Sequence, residues 1–429
     1  MSDPLLIEPL AQPPDADVVV PGSKSHTNRA LLCAALADGV SHLHRPLDAD
    51  DTRAMIDALR TLGVTFERGA DADDEILTVA GTGGTLASGP LTVDVAQSGT
   101  TSRFLLAALA LGDGPYLLDG HPQLRARPFG PLIDALRRLG ATVDGDALPL
   151  TVAGRLHTGS TTVSGTVSSQ FLSGLLLAAP LAEVRPGGPL AVTVEVAGGL
   201  VSAPYVELTL STMAAFGVEV DAAPDLGSFV VEPQAYRARP LTIEPDASAA
   251  SYFFAAAAIT GGRVRVDGLG RHTVQGDLAF VDALEAMGAT VERGETWTEV
   301  RGPDRLRGID IDMAHMSDVA QTLAAVATFA DGPTRVRGVG FIRHKETDRI
   351  GAVVTELQRL GLDAVDEPDG FVVHPGRPRP AIVTTYGDHR MAMSFALLGL
   401  VHPGIAIADP GCVAKTFPHY FQVLDGLRR

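Results

Sequence analysis

One order of apolar and polar positions returns along the chain at intervals of 70 to 80 residues. A helical stretch closes in Leu, Met or Phe followed by Gly, and a short strand, a turn and a second strand come after it. The pattern reads Asp57-Ala-Leu-Arg-Thr-Leu-Gly63-Val-Thr-Phe, then Asp134-Ala-Leu-Arg-Arg-Leu-Gly140-Ala-Thr-Val. It returns as Met213-Ala-Ala-Phe-Gly217-Val-Glu-Val, Asp282-Ala-Leu-Glu-Ala-Met-Gly288-Ala-Thr-Val and Glu356-Leu-Gln-Arg-Leu-Gly361-Leu-Asp-Ala. Successive glycines lie 77, 77, 71 and 73 residues apart. Each is expected just past a helix C-terminus, in the left-handed region, feeding the edge of a sheet. A sixth copy runs into the C-terminus, with Val423-Leu-Asp-Gly-Leu as its helix.

A second series alternates with the first. Six stretches open on polar residues near Ser23-Lys24, Gly99-Thr100, Ser168-Ser169, Asp246-Ala-Ser248, Ser317-Asp318 and Asp388-His389-Arg390, and continue as Ala/Leu-rich runs. Bodies such as Phe171-Leu-Ser-Gly-Leu-Leu-Leu-Ala-Ala are apolar on nearly every face, which marks a buried helix. The helices of the first series are amphipathic and belong outside them. This period exceeds that of the common solenoid repeats. The expected fold class is therefore α/β, with six repeated units in two domains of three, each a bundle of buried helices wrapped by sheet. The segment before Pro21 reads as a strand without a unit of its own, so the chain leaves one domain and returns. Crossovers fall near Val20–Gly22 and Pro240–Ile243. Domain one is then residues 1–22 plus 243–429 (units four to six) and domain two residues 23–242 (units one to three). Gly81-Thr-Gly-Gly reads as a hairpin turn.

Composition narrows the partners. With 429 residues, 45% apolar and 20% charged, this is a globular chain of two domains or three. A formal charge of −17 argues against nucleic acid as a partner. Anionic small substrates remain open, because a few cations focused in a cleft can dominate the local field. Cys33 and Cys412 make no disulfide framework and no CxxC pair, as expected of a reducing compartment. The first residues lack the basic start and apolar run of a signal peptide, and Phe104–Leu111 and Tyr252–Ile259 are too short to span a bilayer. A soluble cytoplasmic protein without a membrane partner is expected.

Only three of the 34 basic residues are lysine: Lys24, Lys345 and Lys415. Each sits in a polar cluster, where a compact titratable ammonium can do what a guanidinium cannot. The polar clusters also mark the starts of buried helices, where free N–H groups and the dipole favour an anion. Gly22 permits close backbone approach, Ser23 and Ser25 bring hydroxyls, and Lys24 and Arg29 bring charge; Gly99-Thr-Thr-Ser-Arg103 and Ser168-Ser-Gln170 repeat the arrangement. Ordinary N-capping explains any one of these, since Ser and Thr are favoured caps. Lys345-Glu-Thr-Asp-Arg349 is read as three charges on successive helical turns. Walker A and HExxH patterns are absent, and Asp48-Ala-Asp50-Asp51 reads as a solvated turn or helix start. No metal is implied.

Taken together in chain order, PGSKSHTNRALL, SGTTSRF, RARPFGPLIDAL, SSQFLSGLL, HKETDR, YGDHRMAM and AKTFP resemble the 5-enolpyruvylshikimate-3-phosphate synthase family (3-phosphoshikimate 1-carboxyvinyltransferases). Each motif alone is weak; the ordered set, from Pro21 to Phe417, is specific. The resemblance implies an enolpyruvyl transferase-like fold of two inside-out α/β barrels, a substrate cleft between them that closes on binding, a monomer, and no cofactor. By resemblance, Lys24, Ser25, Arg29, Ser168, Ser169, Gln170, Ser202, Tyr205, Asp318 and Lys345 bind shikimate 3-phosphate. Lys24, Gly99, Arg127, Gln170, Arg349, Arg390 and Lys415 hold phosphoenolpyruvate. Asp318 accepts the 5-hydroxyl proton and Glu346 delivers one to C3, assisted by Lys415, with Lys24 a fourth catalytic residue. Two departures stand out: Gln97 replaces a common Asn, and Phe341 stands where many members carry an Asn that bonds the shikimate ring. The rival within the fold is the UDP-N-acetylglucosamine enolpyruvyl transferase, whose loop Cys or Asp is missing from Gly120-His-Pro-Gln-Leu-Arg-Ala-Arg127. The rival of another class is a non-catalytic repeat protein.

Overall fold

The computed structural model describes residues 3–71 and 74–428. The chain divides into two compact units, residues 22–243 and residues 1–21 with 244–429, each with its own apolar core.

Among the described residues, five of the six sheets have four strands and one build. In the sheet of Leu91–Asp94, Tyr116–Asp119, Leu150–Ala153 and Thr142–Asp144, the first two strands are parallel and the rest antiparallel. Parallel neighbours need a crossover, and the helix Gly99–Ala108 supplies it. The outer helix Gly130–Arg138 then leads into the hairpin. Each unit of the repeat is thus strand, buried helix, strand, outer helix, hairpin.

The crossover helices are the polar-headed, apolar-bodied stretches of the sequence: Lys24–Leu36, Gly99–Ala108, Ser169–Ala178, Ala247–Thr260, Ala320–Ala327 and His389–Gly399. All residues of Gly99–Ala108 and His389–Gly399 are buried. Gly174 allows close helix packing, since a Cβ there would lie 2.7 Å from the carbonyl oxygen of Arg103. The fifth opens with a 3-10 turn, Ser317–Val319. The outer helices bury one stripe, as Leu132, Ile133, Ala135 and Leu136 do in Gly130–Arg138. Gly63, Gly140, Gly217, Gly288 and Gly361 all have φ between 80° and 110°, the expected left-handed turn after each outer helix.

The repeats are closed by strands from elsewhere in the chain. Pro240–Thr242 pairs in parallel with Val40–His44 and completes the first repeat. The segment before Pro21 supplies two strands where one was expected. Asp15–Asp17 joins Arg263–Asp267, and Leu5–Leu6 joins Ile405–Ile407 in the sixth sheet, which has three strands.

Two local expectations are corrected. Gly81 to Gly84 is no hairpin turn, because the strands on either side, Asp74–Ala80 and Leu91–Asp94, belong to different sheets. Residues 345–348 are not helical; the helix Arg349–Arg359 starts after them, where Asp348 accepts from the Gly351 N–H at 3.0 Å. An N-cap keeps extended backbone geometry, so the charges before it lie in a loop. No helix among the described residues is long and apolar enough to cross a membrane.

Candidate active site

In the unit of residues 22–243, three buried helices are capped by neutral serines. Ser23, Ser98 and Ser168 accept from the backbone N–H groups of His26, Thr101 and Gln170, and no acidic residue occupies any first turn. The first turns of these helices therefore bring no carboxylate of their own to the positive ends. Lys24 pairs with the buried Asp51 at 3.4 Å. The Asp51 carbonyl accepts from Thr101 at 3.3 Å, and the neighbouring Thr100 hydroxyl accepts from Gln170 Nε2 at 3.1 Å. Gly99 opens the same helix, where a Cβ would stand 2.5 Å from Arg127 Nη1. Lys24, Gly99, Arg127, Ser168, Ser169 and Gln170 thus occupy one neighbourhood.

Arg29 extends it. Its guanidinium donates to the carbonyl oxygens of Ser25 and Tyr205, both at 2.8 Å, and to the Thr209 and Ser173 hydroxyls. Ser202, the residue before the helix Ala203–Ala215, has φ 54°, a strained conformation that turns the chain into that helix. Gly22 plays a different part from the one expected. A Cβ there would meet the Arg45 carbonyl oxygen at 2.2 Å, so its close approach is to the protein's own backbone. Asp51 is likewise buried and paired, although it does lie at a helix start.

His26 gives this region a pH response. Burial first, and the Arg29 guanidinium second, push its ring from the ordinary 6.5 down to about 4, and Nδ1 has no hydrogen-bond partner among the described residues. The unfolded chain therefore binds more protons between those values, so stability falls as pH drops from 6.5 to 4 and levels off below. The gap corresponds to at most about 3 kcal/mol. Urea unfolding across this range should show His26→Gln losing less stability than the parent protein by up to that amount. Parallel losses in both proteins would show that His26 is not the titrating group.

The other unit holds a denser set of charges. Asp318 Oδ1 lies 2.5 Å from Lys345 Nζ and 3.2 Å from Arg349 Nη1, and Oδ2 lies 2.6 Å from Arg390 Nη2. Glu346 meets Arg349 at 2.8 Å and Lys415 at 3.8 Å. Arg349 turns its remaining edge to Asp388, at 2.7 and 3.3 Å. Burial alone would disfavour its charge, but Asp388, Glu346 and Asp318 hold Arg349 above its ordinary value. Burial pulls the Lys345 ammonium below its usual value, against the attraction of Asp318. Two carboxylates of different neighbourhood, bridged by one arginine and flanked by two lysines, suit paired proton transfer on an anionic substrate.

All the candidate residues of this unit, Asp318, Lys345, Glu346, Arg349, Arg390 and Lys415, belong to that single network. Phe341 places its ring 5.6 Å from Lys345 Nζ, so a cation–π contact stands at the position where many members of the resembled family carry an Asn. Gln97 bonds the Gln123 side chain. Asp51, Ser248, Asp277 and Asp388 were not among the candidates from sequence. Asp388 stood two residues before one of them, Arg390, in the Asp-His-Arg run, but its partner, 39 residues away, is visible only in the fold. Among the described residues, no group of three or more His, Cys, Asp or Glu could hold a metal ion.

Residues 11–424 match the family model described as EPSP synthase (3-phosphoshikimate 1-carboxyvinyltransferase). The 3-phosphoshikimate 1-carboxyvinyltransferase of Trichormus variabilis is 46% identical over 424 residues, which is 98% of each chain. That of Serratia proteamaculans is 46% identical over 433 residues, 99% of this chain and 98% of its own. A solved EPSP synthase from Acinetobacter baumannii superposes with a TM-score of 0.82 at 25% identity, covering 99% of this chain and 98% of that one. Its likeness bears out the inside-out α/β barrel expected of each unit, and the matches set aside the non-catalytic repeat protein and the UDP-N-acetylglucosamine rival. The chain belongs to the EPSP synthase (3-phosphoshikimate 1-carboxyvinyltransferase) family.

Proposed function

We propose that the chain transfers the enolpyruvyl group of phosphoenolpyruvate to the 5-hydroxyl of shikimate 3-phosphate and releases phosphate. The observation that carries the chemistry is the Asp318–Arg349–Glu346 bridge with its flanking Lys345, Arg390 and Lys415. Asp318 takes the proton of the 5-hydroxyl as its oxygen bonds to C2 of phosphoenolpyruvate, and Glu346 gives a proton to C3, assisted by Lys415. The tetrahedral adduct then returns a C3 proton to the Glu346 carboxylate as the C2–O bond to phosphate breaks, which restores the double bond, and the proton on Asp318 leaves to solvent. Arg349, Arg390 and Lys415, with Lys24, Gly99, Arg127 and Gln170, hold the donor's carboxylate and phosphate, for which arginine forks are suited.

Lys24, Ser25, Ser168, Ser169, Gln170, Ser202, Tyr205 and Lys345, with Asp318, bind shikimate 3-phosphate in this reading. The serine-capped helix starts, whose first turns carry no acidic residue, support a phosphate there. Arg29 serves the same site by tying Ser25 to Tyr205, since protein oxygens already engage its guanidinium. We take the enzyme to work as a cytoplasmic monomer; the two free cysteines fit a reducing compartment.

Gly99→Ala tests the donor site. The added methyl would meet Arg127 Nη1 at 2.5 Å and Arg103 Nη1 at 2.9 Å, so Arg127 must move while the helix gains propensity. KM for phosphoenolpyruvate should rise about tenfold, equivalent to ~1.4 kcal/mol, with Tm undiminished. An unchanged KM would remove Arg127 from the donor site. The function itself is tested by phosphate release from phosphoenolpyruvate. Turnover with shikimate 3-phosphate and none with UDP-N-acetylglucosamine is expected; the reverse preference would overturn the assignment.

A further inference from the structure

We propose that Ser248 and Asp277 form a positioning pair that keeps Arg390 aimed at the anionic donor. The inference rests on the proposed role of Arg390 as a ligand of phosphoenolpyruvate. Ser248 lies in the first turn of the helix Ala247–Thr260, 8% exposed, and Asp277 in the 3-10 turn Gly276–Ala279, 4% exposed. The Ser248 hydroxyl donates to Asp277 Oδ2. Its one hydrogen is then committed, which leaves the oxygen as an acceptor, and Arg390 Nη2 approaches it at 3.5 Å. The same Nη2 donates to Asp318 Oδ2 at 2.6 Å.

The two acceptors differ when the reaction runs. Asp318 takes a proton in the proposed mechanism, and its attraction for Arg390 falls as its charge is neutralised. Ser248 does not titrate, so it holds the guanidinium through that step. Asp277 also balances charge. The ion pairs described above set four cations, Lys345, Arg349, Arg390 and Lys415, against three carboxylates, Asp318, Glu346 and Asp388. Asp277 is a fourth, one hydroxyl away, and a carboxylate buried to this degree is retained at a cost unless it is paired or hydrogen-bonded. Its loop is sewn to the start of the serine's helix, with Gln275 accepting from the Ala247 N–H at 3.2 Å and donating to the Pro245 carbonyl at 2.8 Å. The pair is therefore a rigid fixture contributed by one repeat and applied to the arginine of another.

Steady-state kinetics with each substrate varied in turn test the pair. Ser248→Ala should raise KM for phosphoenolpyruvate about three- to tenfold, the range of one hydrogen bond. KM for shikimate 3-phosphate should stay within about twofold, and kcat should fall by a factor similar to the rise in KM for phosphoenolpyruvate, because Ser248 is the acceptor that remains once Asp318 is neutralised. Ser248→Thr keeps the hydroxyl and should restore most of the affinity. Asp277→Asn, whose amide can donate as well as accept, should fall between them. Arg390→Lys is the control for the underlying assignment. If it raises KM for phosphoenolpyruvate while Ser248→Ala does not, the pair has no positioning role and the donor site stands. If Arg390→Lys also leaves that KM unchanged, the assignment of Arg390 falls, and the pair with it. Equal rises in both KM values with a lower Tm would make Ser248 a structural residue only and overturn the proposal.

Discussion

Glu346→Gln should lower kcat about 10³-fold, within the 10²- to 10⁴-fold range of a lost general acid, while the protein stays folded. The amide matches the carboxyl in shape and can still accept from Arg349 Nη2, now 2.8 Å from Oε2, but has no transferable acidic proton. Arg349 and Lys415 lie against Glu346, and a carboxyl that must carry a proton at the moment of transfer needs those cations drawn elsewhere. The donor's carboxylate and phosphate are the groups that can draw them. Proton delivery is thereby tied to donor binding, and KM for both substrates should change far less than kcat. Phosphate release in single turnovers separates the steps. A kcat within tenfold of the parent, at unchanged Tm, would mean that another group protonates C3. Asp318→Asn offers a contrast, because Asp318 meets Lys345, Arg349 and Arg390. Its removal should cost turnover and also loosen the donor's ligands.

Much of this arrangement is written in local sequence, and the division between what is and what is not has a physical basis. The outer helices declare themselves by a 3.6-residue stripe and by the glycine after it, whose positive φ few other residues accept. The buried helices declare themselves by apolar runs behind polar caps. Strands such as Asp310–Asp312 and Ala381–Val383 are only three residues long, too short for alternation to mark them in the sequence. Local rules also failed at 345–348, where the apolar run beyond Arg349 suggested a helix that the Asp348 cap starts late. In the site, the chain-end of a helix could be named from its cap, and the family motifs singled out the individual charges. Which charge faces which could not be read from either. Asp388 behind Arg349 is set by packing between repeats, and Asp51 under Lys24 and Asp277 behind Ser248 by packing between elements of one repeat, not by spacing along the chain.

That packing makes Arg349 the residue whose loss should be felt most in stability. Its side chain is 2% exposed, and Asp388 beside it is fully buried. Arg349→Met fills much of the volume but leaves Asp388 without its guanidinium and separates Asp318 from Glu346. Removing one partner of a buried pair typically costs 3–5 kcal/mol, because the other charge stays behind, so Tm should fall by roughly 10 °C. Arg349→Lys keeps one charge but cannot span three carboxylates, and its loss should be intermediate. The sign of the pH response identifies the cause. Without the cation, the stranded carboxylates hold protons more tightly in the folded state, so the deficit of Arg349→Met should shrink as pH falls from 7 toward 4. Adding Asp388→Asn to Arg349→Met should recover part of the stability for the same reason, although Asp388 also caps the Arg390 N–H at 2.9 Å. A deficit that is independent of pH and untouched by the second substitution would point to lost packing, and the carboxylates would then not be what Arg349 holds in place.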